Sequence, residues 1–328
     1  MSMADLAKVE LHLHHEGAAP PDLIRQLAFE KKVDLSRAFA PDGGYAFRGF
    51  ARFLEVYEAV ASVLRTPEDY SRLTAAILER SAQDGIVYCE SFLSPDFCGG
   101  GDVGAWREYL QAIREAAERA ERAHGILLRG IACCVRHFGP QRARRAALCA
   151  AETAGDWIVG FGMVGDETMG TQGDFAWSFD LAREAGLQRT THAGEFAGPE
   201  SVRQALDDLD VARIGHGVRA IEDPALVARL AERGTVLEVC PGSNIALGIY
   251  PDMAAHPIAR LREAGVKLTV STDDPPFFHT TLSREYERLR HAFGWDEAVF
   301  ADLNRIAAEA AFCNDATRAR VLKRLEST

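Results

Sequence analysis

The sequence contains no Cys-x-x-Cys pair, and its seven cysteines (Cys89, Cys98, Cys133, Cys134, Cys149, Cys240 and Cys313) are odd in number. That pattern argues against both a disulfide framework and a thiolate zinc site, so reduced, mostly buried thiols are expected. Also missing are a basic segment followed by an apolar one at the N-terminus and any later apolar run long enough to span a bilayer. A cytoplasmic location without membrane attachment is the expectation. Positive charge is in deficit: 37 Lys and Arg against 48 Asp and Glu give a formal charge of −11, a field that repels phosphate backbones and anionic membranes. Nucleic acid is therefore not an expected partner, whereas a small neutral or cationic molecule is. No low-complexity tract argues for disorder, and the 47% apolar and 26% charged residues are ordinary for a globular protein with a large core.

What the chain does have is a rhythm. Short β-rich runs ("KVELHLHH", "IVYCESFLS", "ILLRGIACCV", "IVGFGMVG", "QRTTHAGE", "VARIGHG", "TVLEVCPGS" and "VKLTVSTDDP") alternate with segments of helical spacing. Several helices run up to a glycine suited to a left-handed cap: Gly125, Gly155, Gly186, Gly234 and Gly265. Eight strands joined by helices predict an α/β fold closed as a (β/α)8 TIM barrel, since no Gly-x-Gly-x-x-Gly follows the first strand to favour an open dinucleotide-binding sheet. Extra helices are expected after strand one and at the C-terminus. No interdomain linker is visible, and residues 1–328 read as a single domain.

Histidine is scarce, with ten in 328 residues, yet "ELHLHHEGA" (residues 10–18) holds three. Strand alternation places Val9, Leu11 and Leu13 on one face and Lys8, Glu10, His12 and His14 on the other. His12 and His14 then lie about 7 Å apart on one side, within reach of a shared metal, and His15 points away. In such barrels the reactive groups come from the C-terminal ends of strands. Those ends carry His192 and Glu195 in "THAGE", His216 in "GHG", and Asp273 and Asp274 in "STDDP". His12, His14, His192 and Asp273 would supply three imidazole nitrogens and a carboxylate oxygen, a donor set that suits Zn²⁺ with room for a water. Zinc lowers that water's pKa from 15.7 to about 7, which points to a hydrolase. His216 would hold and deprotonate the water, and Glu195 would carry a proton to the leaving side. His124, His256 and His291 are expected to be caps or surface residues; His137 and His279 follow strands.

The motifs "VELHLHHEG", "VGDE", "HAGE", "IGHG", "VCPGSN" and "STDDP" together resemble, in content and order, the adenosine/adenine deaminase family of the amidohydrolase superfamily. The resemblance implies a (β/α)8 barrel with one Zn²⁺ per chain bound by His12, His14, His192 and Asp273. Dinuclear relatives bridge two metals with a carboxylated lysine after strand four, and "IVGFGMVGDE" has no lysine, so a single metal is expected. It further implies that Glu195 protonates purine N1, His216 positions the attacking hydroxide, Asp274 hydrogen-bonds N7, and the backbone N–H of Gly165 meets N3. Typical adenosine deaminases read His-x-His-x-Asp-Gly, the Asp reaching the ribose 5′-hydroxyl. This chain has Glu16 at that substrate-binding place, closer to the His-x-His-x-Glu-Gly of adenine deaminases. The segment "ESFLSPDFCGGG", however, lacks the Phe-Asp-Pro-Gln pattern associated with adenine deaminases. On overall resemblance adenosine is the first expectation, and adenine, an N6-substituted purine or a modified nucleoside such as aminodeoxyfutalosine the alternative. Phe50, Phe53, Leu54 and Tyr57 recur at helical spacing between strands one and two, as either an apolar lid over the purine or a helix face packed on the barrel.

Overall fold

The computed structural model describes residues 3–327. Eight parallel strands lie in one sheet in chain order: β1 (Lys8–His14), β2 (Ile86–Leu93), β3 (Leu127–Val135), β4 (Ile158–Val164), β5 (Gln188–Ala193), β6 (Arg213–His216), β7 (Val236–Val239) and β8 (Lys267–Val270). The ends of β8 and β1 meet through a parallel bridge between Leu13 and Asp273, with backbone bonds from His14 N–H to the Asp273 carbonyl and from Asp273 N–H to the His12 carbonyl. That contact closes the (β/α)8 barrel and, in doing so, sets one carboxylate between two histidines of the opposite edge.

Three helices follow β1: α1 (Pro21–Lys31), α2 (Phe50–Ala61) and α3 (Pro67–Gln83). The connections between later strands hold α4 (Val103–His124), α5 (Pro140–Ala151), α6 (Ala176–Glu184), α7 (Pro199–Asp208), α8 (Pro224–Arg233), and the pair α9 (Pro241–Ala246) and α10 (Ile258–Glu263). After β8 come α11 (Leu282–Phe293), α12 (Glu297–Ala310) and α13 (Asp315–Leu325). Local chemistry sets many of their ends. Thr66 and Asp69 form a reciprocal capping box at α3, and Asp102, Asp223, Thr281, Asp296 and Asn314 each accept a first-turn N–H. The last two helices cover the end of the barrel opposite the polar rim: Val9, Leu11, Tyr88 and Leu127 pack against Ala307, Ala308, Ala311, Cys313 and Val321.

Three local expectations are corrected. A register shift between Glu10 and Leu13 breaks the alternation of β1. Glu10 consequently faces an outer cavity of about 590 Å³ beside Leu13, while Leu11 packs with Val9 and only His12 and His14 reach the barrel mouth. Gly155 is not a left-handed cap: α5 ends at Ala151, and Gly155 is absent from the positive-φ positions that Gly125, Gly186, Gly234 and Gly265 occupy. The strand predicted over "TVLEVCPGS" stops at Val239, because Pro241 cannot donate to a ladder and instead opens α9. All seven cysteines are buried and free, as expected. Among the described residues, no helix is long and apolar enough to cross a membrane.

Candidate active site

His12 and His14 of β1, His192 of β5 and Asp273 after β8 converge at the rim, each offering a donor atom within 4.8 Å of the others. The Nε2 atoms of His12 and His14 stand 3.1 and 3.2 Å from Nε2 of His192 and 3.3 and 3.0 Å from Oδ1 of Asp273. That Oδ1 is buried without a hydrogen-bond partner. Three imidazole nitrogens and an unpartnered carboxylate oxygen aimed at one point can hold one cation, and three nitrogens with one oxygen is a donor set that fits zinc. His216, Cys240 and Asp273 form a second close trio. Burial holds the Cys240 thiol well above its ordinary range, so it offers no thiolate, and sharing Asp273 makes it part of the same rim.

The outer nitrogens of His12 and His192 are fixed. Nδ1 of His12 meets Glu238 at 2.8 Å, and Nδ1 of His192 donates to the Met163 carbonyl at 2.9 Å, which leaves each Nε2 lone pair facing the cluster. Glu238 belongs to a buried chain in which Arg213 bridges it to Glu90, both at 2.6 Å. Ser243 donates to Oδ2 of Asp273 at 2.7 Å, holding the carboxylate with Oδ1 toward the cluster. None of Glu238, Arg213 and Ser243 was singled out from the sequence, although "LEV" and "VCPGSN" stand at the end of β7, where the fold places chemistry.

Glu195 and His216 face each other with Oε2 and Nε2 3.7 Å apart. Burial, reinforced by the charges of Asp273, Glu167 and Asp166, pushes the Glu195 carboxyl well above the ordinary carboxylate range, so it carries a proton. Burial lowers His216 to about 3, so its imidazole is neutral. Asp274 is likewise raised by burial and neighbouring acids, and its Oδ1 has no partner. Gly17 is required beside it: a Cβ there would lie 1.5 Å from that oxygen. His216 and Asp273 both adopt left-handed backbone (φ 60° and 67°), a cost non-glycine residues bear where surrounding structure holds them.

Glu16 is buried in the wall, its oxygens accepting from the hydroxyls of Tyr70 at 2.7 Å and Tyr57 at 3.2 Å. Gly165, just past β4, lines the same cavity, which measures about 70 Å³ and also touches Phe50, Phe53, Leu54 and Tyr57 of α2. Every residue expected at the site is thus brought to one cavity or its metal cluster. The remaining histidines divide. His15 is buried between Ser91 and Thr74, away from the cluster, and His137 lines the cavity, where it accepts the Asp166 N–H. His279 faces the outer cavity instead. His256 is not a surface residue: it is 2% exposed and bonded to Asn244 and the Ile258 N–H.

Residues 7–328 match the family model described as adenosine deaminase. An adenine deaminase of Rhizobium leguminosarum bv. trifolii is 50% identical over 321 residues, spanning 98% of this chain and 99% of that one. The crystal structure of an adenine deaminase from Arthrobacter aurescens superposes with a TM-score of 0.88 at 29% identity, covering 98% of both chains. An amidohydrolase from Burkholderia ambifaria, solved with bound Zn, superposes with a TM-score of 0.86 at 27% identity over 99% of this chain and 94% of that one.

Proposed function

The chain belongs to the adenosine deaminase family, which makes it a hydrolase acting on the C–N bond of a cyclic amidine in a purine, and from that premise we propose that its substrate is adenine. Adenosine, the first expectation from overall resemblance, gives way to the alternative. The observation that carries this is the 50% identity, over nearly the whole length of both chains, to a protein named adenine deaminase. One feature of the cavity supports it. Glu16, its carboxylate held by Tyr57 and Tyr70, is a buried acceptor for the imidazole N–H that adenine carries and adenosine lacks at N9.

Zinc is the cofactor, one per chain, with His12, His14, His192 and Asp273 as the residues that would hold it. When bound it supplies a Lewis acid able to bring the pKa of water from 15.7 to about 7. The chain's own groups do the rest. His216, a neutral imidazole, accepts the proton of the attacking water and orients its oxygen toward C6. Glu195 is protonated and gives its proton to N1, so that negative charge does not accumulate on the ring as the new C–O bond forms. Asp274, also protonated, donates to N7, and the Gly165 N–H meets N3. Loss of ammonia then restores the ring, and adenine plus water become hypoxanthine plus ammonia. Residues 1–328 act as one domain in this scheme.

The test is the ratio of kcat/KM for adenine to that for adenosine, followed by ultraviolet absorbance, with N6-methyladenine as a third substrate. A site built to satisfy one N–H rejects an analogue lacking it by about 10⁴-fold, and adenine is expected to lead by that order. Adenosine turned over as well as adenine would return the assignment to the nucleoside.

A further inference from the structure

Glu167 follows β4 by three residues and is 2% exposed, yet among the described residues no basic side chain forms an ion pair with it. Its carboxylate instead collects five donors. Oε2 accepts the backbone N–H groups of Glu195, Phe196 and Ala197 at 2.9, 2.8 and 2.9 Å. Oε1 accepts the Gly194 N–H at 2.5 Å and the Ser201 hydroxyl at 2.6 Å. Four consecutive amides wrapped around one anion form a nest, and charge-assisted bonds of this kind are roughly twice as strong as neutral ones. The wrapped residues are those that carry Glu195 away from the end of β5. Gly194 has φ +70°, and a Cβ on it would lie 2.5 Å from Val202, so the turn has little freedom to settle elsewhere. On its far side Arg219 N–H donates to the Gly194 carbonyl, and the Arg219 guanidinium to that of Phe196.

We propose that Glu167 is a positioning residue that sets where Glu195 delivers its proton, by gathering residues 194–197 around its carboxylate. Through it the loop after β4, which brings Gly165 to the cavity wall, and the loop after β5, which brings Glu195 there, are fastened as one unit. The charge of Glu167 adds to burial in keeping Glu195 protonated. Glutamine cannot replace it, because an amide offers one oxygen and turns an NH₂ toward the N–H donors. The inference rests on the reading of Glu195 as proton donor.

The experiment compares Glu167→Gln, Ser201→Ala, Glu195→Gln and the double variant Glu167→Gln/Glu195→Gln in the zinc-loaded enzyme. It reads kcat and KM for adenine, zinc content by elemental analysis and hypoxanthine affinity by calorimetry. A displacement of about 1 Å at a reacting group costs about 10²-fold in rate, and Glu167→Gln is expected to lose kcat by that order with KM, hypoxanthine affinity and zinc content unchanged. In the double variant that loss disappears against Glu195→Gln alone, since a residue acting through Glu195 has nothing left to position. Ser201→Ala removes one donor of five and lowers kcat severalfold; should Glu167→Gln not fold, this variant decides the matter. Unchanged kcat in the folded Glu167→Gln protein, a loss fully additive with Glu195→Gln, or one that tracks lost zinc would overturn the proposal. Full activity in Glu195→Gln would instead remove the premise about Glu195.

Discussion

His15 and His256 show what burial does to an imidazole whose partners are all neutral. One is held by Ser91 and Thr74, the other by Asn244 and a backbone N–H, and burial lowers each to about 3. The folded protein therefore keeps both rings unprotonated, whereas the unfolded chain protonates them below about 6.5. Between pH 6.5 and 3 the unfolded state binds the extra protons, so the contribution of these rings to stability is present above 6.5 and is lost as pH falls. The difference in Tm between the wild-type protein and His256→Gln is expected to narrow from pH 7.5 to pH 4.5 in scanning calorimetry. A difference independent of pH would show that His256 is not held neutral.

Helix α2 joins two readings that periodicity left as alternatives. Phe53, 6% exposed, packs on Phe277 and Phe278, three and four residues beyond Asp274, and on Phe47, while the same ring borders the cavity. Phe50 reaches across the mouth to Phe196, whose N–H is bound by Glu167, and the Tyr57 hydroxyl anchors Glu16. Packed face and cavity wall are one surface here, because α2 crosses the rim rather than lying along the barrel's flank. Phe53→Ala is expected to lower stability by about 3 kcal/mol through the cavity it leaves, and to raise KM severalfold with a smaller change in kcat. Urea denaturation and steady-state kinetics check the two effects. A stability loss with both kinetic constants unmoved would confine α2 to packing.

At the scale of the whole molecule the cluster draws on β1, β5 and the β8 exit, so a metal seated there fastens three parts of the closed barrel. A cation that binds only the folded chain stabilises it by about 4 kcal/mol at 1,000 times its Kd. Chelation is expected to abolish turnover and lower Tm together, and Zn²⁺ to restore both; activity surviving with less than a tenth of an equivalent of bound metal would refute the metal's role. The outer cavity behind Glu10 and Leu13, about 590 Å³, is larger than the one at the rim, yet it shares no wall with the cluster beyond β1 and the residues around Thr272, so the acid, base and ligands meet in the smaller of the two.

Much of this was written into local sequence. Eight apolar runs broken by helices define the barrel, and His-x-His on a strand and polar residues at strand ends mark the rim. These patterns follow from the pleat and from strand-to-helix spacing, which act over a few residues. Tertiary structure decided what local spacing does not encode. The shift in β1 that turns Glu10 away from His12 arises in its pairing with β2, a strand that begins more than seventy residues further along the chain. Arg213 is linked to Glu90 across 123 residues and Glu167 to the 194–197 turn across about thirty, and such pairings leave no period in a chain. An ionised side chain reads the same in sequence whether water or a ring of buried amides surrounds it; only the folded packing determines which, because the energy of a charge depends on its surroundings.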